Sequence, residues 1–180
     1  MKTMLIKTRL FTLCCIALVF LSCNDNRTAD RSGPPGAVSS PPEVKSSADV
    51  IKIQPAPVSI QPGSNAQGTV TLAISSGFHV NANPATFPYL IPTEITAGKI
   101  DGITVDKPVY PPGAKKKFMF ANEPLSVYEG EAQIRLPLHG DMNLAPGKHS
   151  MPLNIRVQAC DHEQCFPPVE LKTTLVIEVK

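Results

Sequence analysis

Two cysteines near the end of the chain, Cys160 and Cys165, are the first candidates for chemistry. Four polar residues separate them, and two prolines follow shortly after. The other three cysteines lie within the first 23 residues, in or beside an apolar run, so one pair remains for the folded part. A pair at this spacing suits disulfide exchange, a local structural disulfide or metal binding, and the spacing favours exchange.

The size of the loop argues against a mainly structural bridge. A disulfide between Cys160 and Cys165 closes about six residues, worth roughly 2 kcal/mol in the chain-entropy model, whereas a bridge enclosing about fifty residues is worth roughly 4 kcal/mol. The preceding strand is expected to end near Gln158, and Pro167 and Pro168 lack backbone donors, so ladder pairing should stop there. We therefore expect both thiols at an accessible corner of a sheet.

Charged residues within the loop set the expected reactivity. Asp161 and Glu163 disfavour a nearby thiolate, whereas His162 favours one, so we select His162 as the side chain that tunes the thiols. This balance predicts a slow dithiol that accepts and donates electrons. The partner protein would bring the reactive thiolate.

Metal binding is the third interpretation of the pair. A zinc site built from Cys160, Cys165 and His162 would crowd three ligands into six residues, which matches the usual spacing of zinc ligands poorly. Copper(I), which accepts two thiolates, stays open. We predict no metal site and no cofactor.

The elements that must position this pair have the periodicity of β-strands. Alternation of apolar and polar residues at period two places one face of each strand on a core. Turn signals separate the alternating segments, and no segment of ten or more residues keeps a helical period. The pattern predicts an all-β domain, a β-sandwich. The alternating segments are residues 50–53, 69–74, 118–120, 132–138, 151–157 and 171–179.

The start of the chain has the pattern of an export signal. Residues 1–22 place basic side chains ahead of an apolar stretch too short to span a bilayer. Their end resembles the bacterial lipobox, in which Cys23 is diacylated and becomes the first mature residue. Ordinary cleavage near Ser22, which leaves Cys23 as a thiol, is the alternative. With the lipobox, Asn24 favours the outer membrane of a Gram-negative host.

Residues 23–47 are rich in Pro and Ser and have few large apolar side chains, so we expect a disordered tether. Residues 48–180 then form one domain of ordinary size. The net charge of +2 is too small to indicate nucleic-acid binding. A run of lysines at residues 115–117 follows a Pro-Gly pair and predicts a solvated turn.

We expect the histidines outside the loop between Cys160 and Cys165 to have structural roles. His79 lies close to Asn81 and Asn83, after a glycine and before a proline, so we expect these side chains to fix a turn through bonds to the backbone. His139 and His149 flank a polar loop, and we expect both to be exposed.

Four segments resemble, in order, the N-terminal periplasmic domain of the DsbD thiol:disulfide interchange protein. They are residues 77–83, 90–94, 127–130 and 158–168, and the resemblance extends over about residues 50–180. It implies an immunoglobulin-like antiparallel sandwich whose paired cysteines take electrons from a thioredoxin-like domain. They pass these electrons to periplasmic disulfide isomerases or cytochrome-maturation thioredoxins. By the same resemblance, partners attack Cys165, and Cys160 is the resolving thiol.

Members of this family shield the disulfide with a loop that carries an aromatic residue. Tyr128 is the only aromatic residue in segment 122–130, between two predicted strands, and is therefore the expected cap. Packing of Tyr128 on the rim of the sandwich is the alternative. The sequence ends at Lys180, without the membrane and thioredoxin-like domains of the full-length protein. We expect electrons to come from a separate thioredoxin-like donor or membrane thiol reductase.

Together these patterns predict a periplasmic, lipid-anchored domain that exchanges thiols and disulfides through Cys160 and Cys165, as a component of a protein-disulfide reductase system. The competing hypothesis is a non-catalytic immunoglobulin-like binding module in which the bridge only holds a loop.

Overall fold

The computed structural model of the chain describes residues 46–180. The predicted signal peptide, Cys23 and all but the last two residues of the predicted tether lie outside the described residues. Within the described part, no helix combines the length and apolar character needed to cross a membrane.

Residues 46–180 form one short 3₁₀ helix, Ser47–Val50, and twelve strands. The strands are β1 Ile51–Ala56, β2 Val58–Ile60, β3 Asn65–Ile74, β4 His79–Asn81, β5 Glu94–Ala97, β6 Ile103–Val105, β7 Ala114–Lys116, β8 Leu125–Tyr128, β9 Glu131–Gly140, β10 Gly147–Val157, β11 Ala159–Cys160 and β12 Val169–Val179.

The strands form three four-stranded sheets. Their orders are β1-β3-β9-β6, β2-β12-β10-β5 and β11-β4-β8-β7. Neighbouring strands are antiparallel, except that β2 runs parallel to β12. The fold is an all-β, immunoglobulin-like sandwich, as the sequence predicts.

The core lies on the inward faces of the long strands. In β9, every second residue is buried, and the same alternation runs through the second half of β10 and the end of β12. The register of β3 with β9 places Val70 opposite Ile134, and both are fully buried. Cross-strand pairs of branched aliphatic side chains of this kind stabilise a sheet by packing on one face.

Five of the six predicted alternating segments lie within these strands or overlap them, but the prediction of a strand at residues 118–120 is wrong. Met119 and Phe120 lie in a turn, in which the Ala121 N–H donates to the Phe118 carbonyl at 3.2 Å. Phe118 is buried, whereas Met119 is fully exposed and Phe120 is 45% exposed, so burial does not alternate along the segment as it does along a strand.

The third sheet presents two different faces. Val80, Ala159 and Tyr128 lie on one face and belong to the main core cluster. Because side chains alternate along a strand, Cys160 and His79 lie on the other face. The arrangement of strands therefore places the cysteine pair at one edge of this sheet.

Candidate functional site

Cys160 and Cys165 form a disulfide bond. Cys160 ends β11, and the two cysteines also face each other as an isolated antiparallel bridge, so the residues between them form a tight hairpin. The Asp161 N–H closes this hairpin by donating to the Gln164 carbonyl at 2.9 Å. The structure thus joins by a disulfide the two cysteines that the sequence analysis selected as a pair.

Asp161 organises the tip of the hairpin. Its Oδ1 accepts hydrogen bonds from the N–H groups of Gln164 and Glu163, both at 2.8 Å. These two bonds are the main cause that lowers the pKa of Asp161 below its usual value, because they stabilise the carboxylate. The charge of Asp161 is therefore used to order the backbone of the hairpin.

The base of the hairpin is held by Ser47 and Gln158. The fully buried Ser47 hydroxyl accepts a hydrogen bond from the Ala159 N–H at 2.9 Å and donates one to the Pro167 carbonyl at 2.8 Å. Gln158 Nε2 donates to the Phe166 carbonyl at 3.0 Å. Ser47, which the sequence analysis placed in the tether, thus connects the two sides of the hairpin.

The two sulfur-bearing residues differ in burial. Cys160 is 1% exposed, whereas Cys165 is exposed. Of the two thiols expected to be accessible, only Cys165 is so. The cause is strand pairing, because β11 inserts Cys160 beside β4 while Cys165 follows the turn.

His79 is the residue at this site that sequence reasoning missed. It lies directly opposite Cys160 in the pairing of β4 with β11, and it is 2% exposed. Its Nε2 atom is buried and has no hydrogen-bond partner within residues 46–180. The sequence carries little signal for this position, because β4 has only three residues.

Burial also changes the protonation of His79. The pKa of its imidazole is lowered from 6.5 to about 4, mainly by desolvation, and the neighbouring His162 contributes to the lowering. The carboxylates of Glu129 and Asp161 oppose this shift in part. The imidazole is consequently neutral at pH 7.

An aromatic segment covers this face of the sheet. The Phe118 ring stacks on the His79 ring with centroids 4.0 Å apart, and the Phe120 ring centroid lies 5.3 Å from that of Phe118 and 6.5 Å from that of His79. Lys117 Nζ donates hydrogen bonds to the carbonyls of Ala121, at 2.8 Å, and of Asn122. We call residues 118–122 the aromatic cover.

Tyr128 has a different position from the one expected for a cap. It pairs with Val80 and is 4% exposed, with its ring in the main core. Its hydroxyl donates to the Pro111 carbonyl at 2.9 Å and accepts from the Asn83 N–H at 3.1 Å. This anchored position fits the alternative of a packing residue, and burial raises the pKa of Tyr128.

His162 is exposed on the disulfide hairpin, as a residue that tunes the thiols would require. With His79, it lines a cleft of about 470 Å³ that also contains Lys116 and Glu129. Lys116 and Glu129 form a salt bridge of 2.8 Å. Lys116 lies in β7, so the solvated turn predicted for residues 115–117 is instead an exposed strand and its end.

The polar residues after His79 connect to distant backbone. Asn81 Nδ2 donates to the Ile91 carbonyl at 3.0 Å, and Asn83 Nδ2 donates to the Thr93 carbonyl at 2.9 Å. The predicted bonds from side chain to backbone are present for the two asparagines, but His79 and Asn81 belong to a strand, not to a turn.

The other two histidines lie in different environments. His139 is exposed, as expected, whereas His149 is half-buried. In the part of the chain that the structure describes, no group of three or more His, Cys, Asp or Glu side chains is placed to hold a metal ion.

Comparison with known protein families gives one match. The family model described as "Thiol:disulfide interchange protein DsbD, N-terminal" matches residues 47–177. No curated protein compared with the chain matches it significantly.

Among solved structures, the reduced N-terminal domain of Neisseria meningitidis DsbD is 18% identical, with a TM-score of 0.43 over 63% of this chain and 79% of that chain. AggA, the major subunit of an Escherichia coli aggregative adherence fimbria, is 11% identical, with a TM-score of 0.33 over 72% and 94% of the two chains. Because the family model spans most of the chain and includes Cys160 and Cys165, the chain belongs to the family of DsbD N-terminal domains, a family of thiol:disulfide interchange.

Proposed function

We propose that this domain is a periplasmic electron relay in which Cys160 and Cys165 cycle between dithiol and disulfide. One observation carries the proposal, namely that the bond joins an exposed residue to a buried one. A partner can then reach Cys165 while Cys160 stays inside the protein.

The first half of the exchange follows from this asymmetry. A partner thiolate attacks the Cys165 sulfur, a mixed disulfide forms, and the bond between Cys160 and Cys165 breaks with the electron pair passing to Cys160. A second thiol of the partner then resolves the mixed disulfide and leaves the domain reduced. Electrons leave the domain by the reverse sequence, in which the Cys165 thiolate attacks the disulfide of an acceptor.

In this proposal the aromatic cover takes the shielding role that the sequence assigned to Tyr128. Phe118 and Phe120 lie over His79, the direct neighbour of Cys160, and the fully exposed Met119 lies between them. A docking partner would meet the cover, and its displacement would admit the partner to the disulfide. Tyr128 instead holds β8 through its two hydrogen bonds. His162 tunes the exposed thiol of Cys165.

The partners and the location complete the proposal. The donor is a thioredoxin-like protein or a membrane thiol reductase, and the acceptor is a periplasmic disulfide isomerase or a cytochrome-maturation thioredoxin. Residues 1–22 direct export, a lipid on Cys23 anchors the protein to the outer membrane of a Gram-negative host, and residues 23–47 form the tether. The support is the family match together with the composition of these residues.

Trapping of the mixed disulfide tests the proposal. In a Cys160→Ala variant of the exported protein, a mixed disulfide at Cys165 cannot be resolved from within the domain, so it should accumulate as an adduct on non-reducing gels. Cys165→Ala should give far less adduct, because the remaining thiol is buried.

A double variant, Cys160→Ala with Cys165→Ala, is the matched control. It keeps every other cysteine of the chain, so any adduct that it forms arises elsewhere, for example at an unlipidated Cys23. If Cys160→Ala forms no adduct beyond that of the double variant, the relay is wrong and a binding module with a structural bridge is the better interpretation.

A further inference from the structure

His79 is a buried base that the exchange chemistry described above does not use. Its Nε2 atom is buried and lacks a hydrogen-bond partner among the described residues, although buried polar atoms in folded proteins are nearly always paired. An unpaired atom of this kind costs free energy. It therefore needs an explanation, and the neighbouring disulfide offers one.

Cys160 has a specific need for a base. When the reduced domain passes electrons to an acceptor, Cys165 first forms the mixed disulfide, and Cys160 must then attack Cys165 as a thiolate. Burial raises the pKa of a thiol, and Cys160 is 1% exposed. Water has little access to remove its proton, so a group inside the protein must do so.

The geometry places His79 where that group is required. His79 and Cys160 are direct partners across antiparallel strands, so their side chains leave the same face of the sheet with Cβ atoms about 5 Å apart. The Phe118 ring lies on the imidazole at 4.0 Å and excludes solvent from that side.

We propose that His79 is the general base for Cys160 in the step that closes the disulfide. The proposal rests on the proposed relay. In this step the Cys160 S–H bond breaks and its proton passes to Nε2 of the imidazole. The Cys160 sulfur then attacks the Cys165 sulfur, and the bond from Cys165 to the partner breaks, so that the partner leaves as a thiolate.

Protons and electrons balance over the two steps of the exchange, and the proton of Cys165 passes to solvent before the first step. The two cysteines lose two electrons, which reduce the disulfide of the partner, and the imidazolium returns its proton to solvent or to the departing thiolate. In the opposite direction, Cys160 leaves as a thiolate when a donor attacks Cys165, and the neutral His79 takes up a proton from solvent and passes it to the Cys160 sulfur.

Burial keeps His79 available as a base despite the charged groups around it. Glu129 follows β8, Asp161 and His162 lie on the disulfide hairpin, and Lys116 of β7 shares the cleft while paired with Glu129. The cover contributes only the apolar rings of Phe118 and Phe120 to this face. Burial outweighs the two carboxylates, so the ring is neutral at pH 7 and free to accept a proton.

Reduced protein mixed with an equimolar amount of an aromatic disulfide, 5,5′-dithiobis(2-nitrobenzoic acid), separates the two steps. The first coloured thiolate is released when Cys165 attacks the reagent. The second is released when Cys160 attacks Cys165 within the same protein, so its rate does not depend on the reagent concentration. We expect His79→Gln to slow the second release about tenfold or more at pH 7, and to leave the first within about twofold. The matched control is His139→Gln, which replaces an exposed histidine on β9 and should change neither release rate.

The pH profile distinguishes a base from a merely structural residue. With His79 as base, the second release should be nearly independent of pH between about pH 5 and pH 8, because neutral imidazole and neutral thiol both persist there. In His79→Gln, hydroxide must remove the proton, so the rate should rise about tenfold per pH unit. The double cysteine variant measures, for subtraction, any release from other thiols.

The outcomes separate the two proposals. If the first release is absent from the wild-type protein, the relay itself is wrong. If both releases occur and the second is unchanged in His79→Gln, only the role of His79 is wrong. Should His79→Gln fail to fold, the wild-type profile still decides, because a tenfold rise per pH unit in the wild type would overturn the proposal.

Discussion

Cys165 and Cys160 differ in the access that a small reagent has to their sulfur atoms. In the reduced protein, we expect iodoacetamide to modify Cys165 at least about tenfold faster than Cys160, because Cys160 is 1% exposed and burial disfavours its thiolate. Mass spectrometry of digested samples taken over time measures both rates. Addition of denaturant should make the two rates similar, and equal rates in the folded protein would contradict the asymmetry on which the relay depends.

At the scale of single residues, the sequence predicted which residues are reactive better than it predicted how buried those residues are. Cys160, Cys165 and His162 could be selected because their types and spacing are local properties of the chain. The role of His79 could not, because its burial depends on Phe118, which lies almost forty residues later in the sequence. The difference in burial between Cys160 and Cys165 could not be predicted for the same reason, because the strand that buries Cys160, β4, comes from a distant part of the chain.

At the scale of elements, the 3₁₀ helix at the start of the domain anchors the disulfide hairpin. Ser47→Ala leaves the Ala159 N–H and the Pro167 carbonyl without the hydroxyl that joins them. Because Ser47 is fully buried, we expect the free energy of unfolding to fall by about 1–3 kcal/mol, measured by urea denaturation.

Ser64 offers a matched control for this effect. Its hydroxyl also makes two hydrogen bonds, accepting from the Gln61 N–H at 3.1 Å and donating to the Gln61 carbonyl at 2.7 Å, but water can replace them. Ser64→Ala should therefore cost less than about 1 kcal/mol. Equal losses in the two variants would show that the bridge made by Ser47 adds nothing to stability.

The long strands were predictable from sequence because their alternation continues over many residues. β9, β10 and β12 each contain at least ten residues. The strands that build the site are much shorter, since β4 has three residues and β11 has two. Two or three residues cannot show a period, so the sheet that carries the cysteines is defined by tertiary pairing. The error at residues 118–120 has the same origin, because three residues are too few to distinguish a strand from a turn.

At the scale of the whole molecule, two sheets supply stability and the third supplies chemistry. The largest fully buried side chains, apart from His79 and Val80, lie on the long strands of the first two sheets. The third sheet packs Val80 and Tyr128 against this core and keeps its other face for Cys160 and His79. The domain can therefore hold an unpaired buried base at one edge, because the remaining core offsets its cost.

This placement of His79 makes the stability of the whole domain depend on pH. The pKa of His79 is about 4 in the folded protein and about 6.5 in the unfolded chain, so between these values the unfolded chain binds a proton that the folded protein does not. The free energy of unfolding should consequently fall as the pH decreases from about 6.5 to about 4. The full shift corresponds to about 3 kcal/mol, and solvent in the adjoining cleft reduces our expectation to about 1–2 kcal/mol.

Other groups also titrate in this range, so the contribution of His79 must be measured as a difference. In His79→Gln, which cannot take up the proton, urea denaturation should show a smaller loss of stability between pH 6.5 and pH 4 than in the wild type, by about 1–2 kcal/mol. His139→Gln changes an exposed imidazole and should keep the wild-type pH dependence. If His79→Gln also follows the wild-type curve, folding does not lower the pKa of His79, and the imidazole would take up a proton near pH 6.5 instead of staying a neutral base down to about pH 5.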